Sequence, residues 1–175
     1  VGRMVAAAGV PCQLGGGIRS LETVGRYLAA GVDRVVVGSV AIESPELLTE
    51  MAAAFPGRIV LGLDARDGRV AVRGWLETSP LEALDVARRH AGLPLAAIVF
   101  TDIATDGMLS GPNLPALAAM VRAVPLPIVA SGGIASAADI RHVTATGAAG
   151  CIVGRALYEG AVTLPAAVEA AGDAA

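Results

Sequence analysis

Hydrophobic and polar positions alternate along this chain in a repeating order: a short, wholly apolar run, a polar or glycine stop, then a longer segment with helical spacing. The apolar runs Val10–Leu14, Arg34–Val37, Arg58–Leu63, Ala96–Phe100, Pro127–Ala130 and Cys151–Val153 predict six strands. Runs without an exposed alternate face suit strands buried on both sides. Between them, Ser20 is expected to cap a helix to about Ala30 that Gly31 ends, and Ser44-Pro45 to start another, since Ser accepts from the first free N–H groups and Pro lacks one. Ser79-Pro80-Leu81-Glu82 has the form of a capping box for a helix to about Ala91. Further helices are predicted over Leu114–Val124, after Ser136, and over Leu164–Ala171, with the tail of one in Val1–Gly9. Asp67-Gly68 marks a tight turn within an excursion from Ala65 to Trp75.

Strands alternating with helices predict βαβ units and a parallel sheet. The polar and glycine signals fall after the strands, as in a (βα)8 TIM barrel whose site lies at the strands' carboxyl ends. Six strands are too few for eight, and an internal repeat bears on this. Adding 116 to Pro11, Gly16, Gly17, Ile18, Ser20, Gly31 and Gly38 gives Pro127, Gly132, Gly133, Ile134, Ser136, Gly147 and Gly154. A half-barrel has been duplicated, and only strands 3–8 are expected in this single domain, residues 1–175. The missing part would be roughly 60–70 residues, judged from barrel size, so the chain is expected to be a truncated product.

Composition narrows the classes. The apolar excess is Ala, Val and Leu, and every run breaks well short of the ~20 residues of a membrane span. Nothing in Val1–Ala8 has the anatomy of a signal peptide. A net charge of −3 without a basic stripe argues against nucleic acid as a partner. A soluble cytoplasmic protein is expected. Cys12 and Cys151 lack metal-ligand spacing and are read as small residues within strands. No Gly-x-Gly-x-x-Gly or Walker pattern opens a helix.

Candidate chemistry sits at the strand ends. Gly132-Gly133 with Gly154-Arg155 fit a barrel phosphate site, where backbone N–H groups and a helix start meet an anion. Arg155 is placed to add charge at its rim. The repeat puts a second such site at Gly16-Gly17 with Gly38-Ser39, and two sites imply a substrate with a phosphate at each end. Ordinary turn glycines are the alternative. Asp64 ends an apolar strand, where a carboxyl group withdrawn from water can act as a general acid or base; it is otherwise a loop cap through Arg66 or Arg69. Thr101 and Asp102 hold the corresponding place on the next strand, where one of them is suited to orienting a substrate; the alternative for Asp102 is a hydrogen bond to the Thr105–Gly107 loop. Trp75 is suited to stacking on a planar ring while Arg73 or Arg19 meets a polar group, or to plugging the rim. His90 and His142 are expected on helix surfaces.

The segments Gln13-Leu-Gly-Gly-Gly-Ile-Arg19, Val37-Gly-Ser39, Gly62-Leu-Asp64, Arg73-Gly-Trp75, Thr101-Asp-Ile103, Asp106-Gly107, Gly111-Pro-Asn113, Ala130-Ser-Gly-Gly133 and Val153-Gly-Arg-Ala-Leu-Tyr158 closely resemble the phosphoribosylformimino-aminoimidazole carboxamide ribotide (ProFAR) isomerases of histidine biosynthesis. The resemblance implies a duplicated (βα)8 enzyme, without metal or organic cofactor, that converts an aminoaldose bearing two phosphoribosyl groups to an aminoketose. It implies that Asp64 is the acid opening the ribose ring and that Thr101 assists. The family's base, an Asp on the first barrel strand, has no counterpart here, so the chain alone is expected to be inactive or nearly so. Met108 departs from the Thr expected after Asp-Gly. The cyclase subunit of imidazole glycerol phosphate synthase is the runner-up, and an isomerase also acting on phosphoribosyl anthranilate a variant. Monomers are expected for the intact barrel; a non-enzymatic, self-associating barrel is the alternative of another class.

Overall fold

The computed structural model describes residues 1–72 and 74–172. In chain order its elements are α1 (Gly2–Ala8), β1 (Gln13–Gly15), α2 (Leu21–Ala29), β2 (Arg34–Val37), α3 (Val40–Glu43), α4 (Pro45–Ala54), β3 (Ile59–Arg66), β4 (Arg69–Val72), β5 (Glu77–Glu82), α5 (Ala83–His90), β6 (Ala97–Asp102), α6 (Leu114–Ala123), β7 (Ile128–Ser131), α7 (Ala137–Ala145), β8 (Gly150–Cys151), α8 (Arg155–Tyr158) and α9 (Leu164–Gly172). The strands β1-β2-β3-β6-β7-β8 pair in that order, all in parallel. Each step along this path therefore needs a crossover, and helices supply it. Among the described residues β1 and β8 end the path, each with one neighbour.

The duplication read from the glycines extends to the backbone. α2 and α7 are nine residues each and begin 116 positions apart. Ser20 accepts from Thr23 N and Ser136 from Asp139 N, both at 3.2 Å. The pairing is shared too: Gln13 lies beside Arg34 and Val129 beside Gly150.

Two faces of the sheet do different work. Val35, Val37, Ile59, Leu61, Leu63, Ile98, Phe100, Ile128 and Ala130 join the main core with Val24, Leu48, Met51, Met120 and Ile140 of the helices. Burying one such aliphatic side chain contributes roughly 1.5–3 kcal/mol, so this layer dominates stability. The opposite face carries a small cluster, Val60, Ala97 and Val99, with Val36 and Val129 against it. By strand alternation Gly62, Asp64, Thr101 and Ser131 belong to this second face.

Three expectations are corrected. Ser79–Glu82 is not a capping box: it lies in β5, which pairs antiparallel with β4, and the Ser79 hydroxyl accepts only from Leu81 N, at 3.2 Å. Tertiary pairing with the β4 edge outweighs the local helix signal. Ser44 precedes α4 as expected, yet its side chain makes no cap bond, because α3 runs directly into it. Cys12 lies before β1 rather than in it, while Cys151 ends β8; both are half-buried free thiols. The Asp67-Gly68 turn stands, with both residues at positive φ (52° and 81°) between paired Arg66 and Arg69, the geometry a two-residue hairpin turn requires.

Candidate functional site

Each glycine pair follows a strand of the repeat. Gly16 and Gly17 take φ of 113° and 66°, and Gly132 and Gly133 take 96° and 78°, conformations that side-chain-bearing residues rarely adopt. Their surroundings differ. A Cβ on Gly16 or Gly17 would meet nothing within 4 Å, whereas one on Gly132 would lie 2.6 Å from the Asp102 carbonyl and one on Gly133 would overlap the Gly111 carbonyl. The second pair is thus clamped by the 103–113 loop, with Gly111 N donating to Gly133 O at 3.0 Å.

A cavity of about 1000 Å³ is lined by Gly16, Gly17, Arg19, Gly38, Ser39 and Asp64, with Gly62 and Val99 of the same sheet face at its wall. A recess of about 30 Å³ is lined by Gly132, Gly133, Gly154 and Arg155, together with Asp106 and Gly107. The two expected groups are therefore each gathered in space, and Asp64 joins the first. Thr101 is buried and stands beside Asp64 in the β3–β6 pairing, without lining either space. Asp64 does not end its strand; β3 continues to Arg66 and supports the hairpin above it.

Trp75 reaches Asp64 from beyond β4. It is 41% exposed, has φ of 71°, and its indole Nε1 donates to Asp64 Oδ2 at 2.7 Å. The loop-cap alternative for Asp64 through Arg69 is not seen, since Arg69 pairs with Glu82 at 3.6 Å. Arg73 lies outside the described residues. Asp102 does organise its loop: Oδ1 accepts from Ala104 N at 2.9 Å, and Oδ2 from Asn113 Nδ2 at 2.6 Å. Asn113 in turn caps α6 through Ala116 N at 3.2 Å. Arg155 spans from Glu159 Oε1 (2.6 Å) to the Gly107 carbonyl (2.7 Å), so its guanidinium ties α8 to the 103–113 loop.

His90 is a further correction. It is 4% exposed rather than on the surface, and its Nε2 has no hydrogen-bond partner. Burial, and then the neighbouring Arg89, hold its pKa below the ordinary value of 6.5, against a backbone hydrogen bond with Ala41. The spacing of Ala83, Val86 and Ala87 in α5 was the available signal, because His90 follows them at three- and four-residue intervals on the face that packs inward. The sequence reading also missed α3 and α8, four residues each, which start at Val40 and Arg155 directly beyond the two cradles. Among the described residues no three His, Cys, Asp or Glu side chains are grouped to hold a metal ion, and no helix is long and apolar enough to cross a membrane.

A parallel α/β sheet with glycine turns and a carboxylate gathered at the strands' carboxyl ends defines a protein of the TIM-barrel-like α/β class. Comparison with known proteins narrows the class. Residues 1–163 match the family described as "Histidine biosynthesis protein", and the chain belongs to that family. It is similar to the 1-(5-phosphoribosyl)-5-((5-phosphoribosylamino)methylideneamino) imidazole-4-carboxamide isomerases of several bacteria. With that of Synechococcus sp. (strain RCC307) it is 55% identical over 170 residues, covering 97% of this chain and 68% of the relative. With that of Nitrobacter hamburgensis it is 53% identical over 163 residues, 91% and 66% respectively. The Geobacter sulfurreducens protein is 48% identical over 168 residues, 94% and 69%. These matches run along nearly the whole of this chain and about two thirds of each relative.

Proposed function

We propose that this chain is an aldose–ketose isomerase of the ProFAR type, taking a substrate with a phosphoribosyl group at each end. One observation carries the reading: Asp64 lines the same cavity as Gly16, Gly17, Gly38 and Ser39. A carboxyl group beside an anion cradle is what ring opening of a phosphorylated aminoaldose needs. Asp64 gives its proton to the ribose ring oxygen as the C–O bond breaks, and nitrogen's electron pair forms the imine. Loss of a C2 proton then gives the enol-amine that becomes the aminoketose. Thr101, next to Asp64 on the neighbouring strand, orients the sugar. Gly132, Gly133, Gly154 and Arg155 take the far phosphate, and Arg155 exchanges its Gly107 contact for the anion. Arg19 and Trp75 hold the near end.

On this reading the six parallel strands correspond to the third to eighth of an eight-stranded barrel, within one domain. The resemblance places a base on the first strand of such a barrel. An isomerase assay on the purified chain and on Asp64→Asn tests the role of Asp64. Loss of the residual rate in the variant supports it; an unchanged rate, measured well above the uncatalysed one, rejects it. The single-neighbour edges of β1 and β8 favour a second reading, a non-catalytic chain that self-associates through those strands. Sedimentation separates the two, since a monomer at high concentration rejects self-association.

A further inference from the structure

His90 is buried and takes no part in the proposed reaction. It ends α5, and its ring makes a hydrogen bond with the Ala41 backbone of α3. Ala41 shares the main core with Val86 and Ala87, which precede His90 on the inward face of α5. The Ala41 N–H already donates to Gly38 O at 2.9 Å, so the ring N–H donates to the Ala41 carbonyl. That carbonyl has no donor along its own chain. In a helix it would accept from the residue four places on, which is Pro45, and proline has no N–H. The Ser44 N–H is committed to Val40 O at 2.8 Å. Ala41 is almost fully buried, so water is excluded, and buried backbone oxygens are nearly always paired. His90 supplies the donor.

The repeat shows that this need is particular to the first half. Adding 116 takes Ala41 to Leu157, Ser44 to Gly160 and Pro45 to Ala161. There Gly160 N donates to Leu157 O at 3.2 Å, so the matching carbonyl is satisfied within its own turn. The two short helices are also tethered differently. Arg155 ties α8 to the 103–113 loop, 2.7 Å from the Gly107 carbonyl. Its counterpart in the first half is Ser39, whose side chain makes no cap bond. A single helical turn is not stable by itself, so α3 takes its place from what holds it. It follows Gly38 and Ser39 directly, and both line the wide cavity. Because Ala41 N is bonded to Gly38 O, and Ile42 N to Ser39 O at 3.0 Å, a shift of α3 is carried to both.

We infer that His90 is a positioning residue for the wide cavity: its N–H holds the Ala41 carbonyl of α3 and thereby sets Gly38 and Ser39 against an anion at Gly16 and Gly17. This role rests on the proposed function, and the test separates the two. Amide signals of Gly38 and Ser39 are followed by NMR during titration with inorganic phosphate, with those of Gly132 and Gly133 as a control in the same molecule. His90→Phe fills the space without a donor. It is expected to weaken phosphate roughly 3- to 10-fold at Gly38 and Ser39, the worth of one hydrogen bond, and to leave Gly132 and Gly133 unchanged. His90→Gln, which keeps an N–H, is expected to recover most of the loss. Equal affinity at Gly38 and Ser39 in His90→Phe and the unaltered chain overturns the role of His90 alone. The same loss at both cradles also overturns it, since that is general loosening. No response of Gly38 and Ser39 to phosphate in the unaltered chain overturns the anion cradle, and this inference with it. Urea midpoints measured in parallel identify a folding defect. If His90→Phe shows one, His90→Gln is compared with His90→Leu, and equal affinities in those two reject the role.

Discussion

Trp75 Nε1 donates to Asp64 Oδ2 at 2.7 Å, so an indole between β4 and β5 is fastened to a carboxylate on the sheet. Eleven residues separate the two in sequence, and the β3–β4 hairpin folds the gap back on itself. The bond is made with Trp75 at φ of 71°, a left-handed conformation costing roughly 1–2 kcal/mol for a residue with a Cβ. Trp75 is the sole tryptophan, so the indole emission of the chain comes from this side chain alone. Asp64→Ala is expected to red-shift that emission as the indole loses its partner and becomes more hydrated. A spectrum identical to that of the unaltered chain would count against the contact in solution.

The two cradles are expected to differ in tolerance. Gly133→Ala must push against the Gly111 carbonyl and Thr105 in addition to adopting φ of 78°. Gly17→Ala faces only its backbone conformation, with open space around the new methyl. Urea unfolding should show Gly17→Ala costing about 1–2 kcal/mol and Gly133→Ala clearly more. Equal losses would mean that the 103–113 loop moves aside.

Acid sensitivity is expected from His90. Its folded-state pKa is lowered, first by burial and then by Arg89, so the unfolded chain binds this proton more readily. The stability contributed by the neutral ring is complete above about 6.5, the unfolded value, and is lost as pH falls below it. One proton limits the slope to about 1.4 kcal/mol per pH unit. Urea midpoints between pH 8 and pH 5 should decline less steeply in His90→Gln, which cannot take up the proton. Parallel declines would assign the acid sensitivity to other groups.

Repeated helix caps should be unequal in worth. Ser20→Ala removes the acceptor for Thr23 N and a 2.9 Å bond between two neutral hydroxyls, Ser20 Oγ and Thr23 Oγ1, at a cost of about 1 kcal/mol. Ser136→Ala removes the acceptor for Asp139 N and a 2.9 Å bond from Ser136 Oγ to the Asp139 carboxylate, a stronger kind of bond than one between hydroxyls. That carboxylate additionally holds Ala135 N at 3.0 Å, so the second cap should cost more. Thermal unfolding of the two variants compares them directly, and a larger loss at Ser20 would contradict the assignment.

The sequence by itself determined whatever depends on local chain chemistry or on recurrence. Apolar runs too short for helices became the parallel strands, and the offset of 116 between glycines and serines reappears as matching φ values, caps and register. Glycine and cap positions survive folding because the backbone conformation at a turn or helix start is set by residues within a few places. Only the tertiary structure decided the rest. Ser79–Glu82 became a strand because the β4 edge lay free beside it, and no local helix signal competes with a row of interstrand bonds. His90 was buried by the packing of α5, and Trp75 was brought to Asp64 by a hairpin whose reach no spacing rule encodes. Asp64, Thr101 and Ser131 likewise come to lie side by side on three strands only through parallel register, which joins residues 37 and 30 places apart.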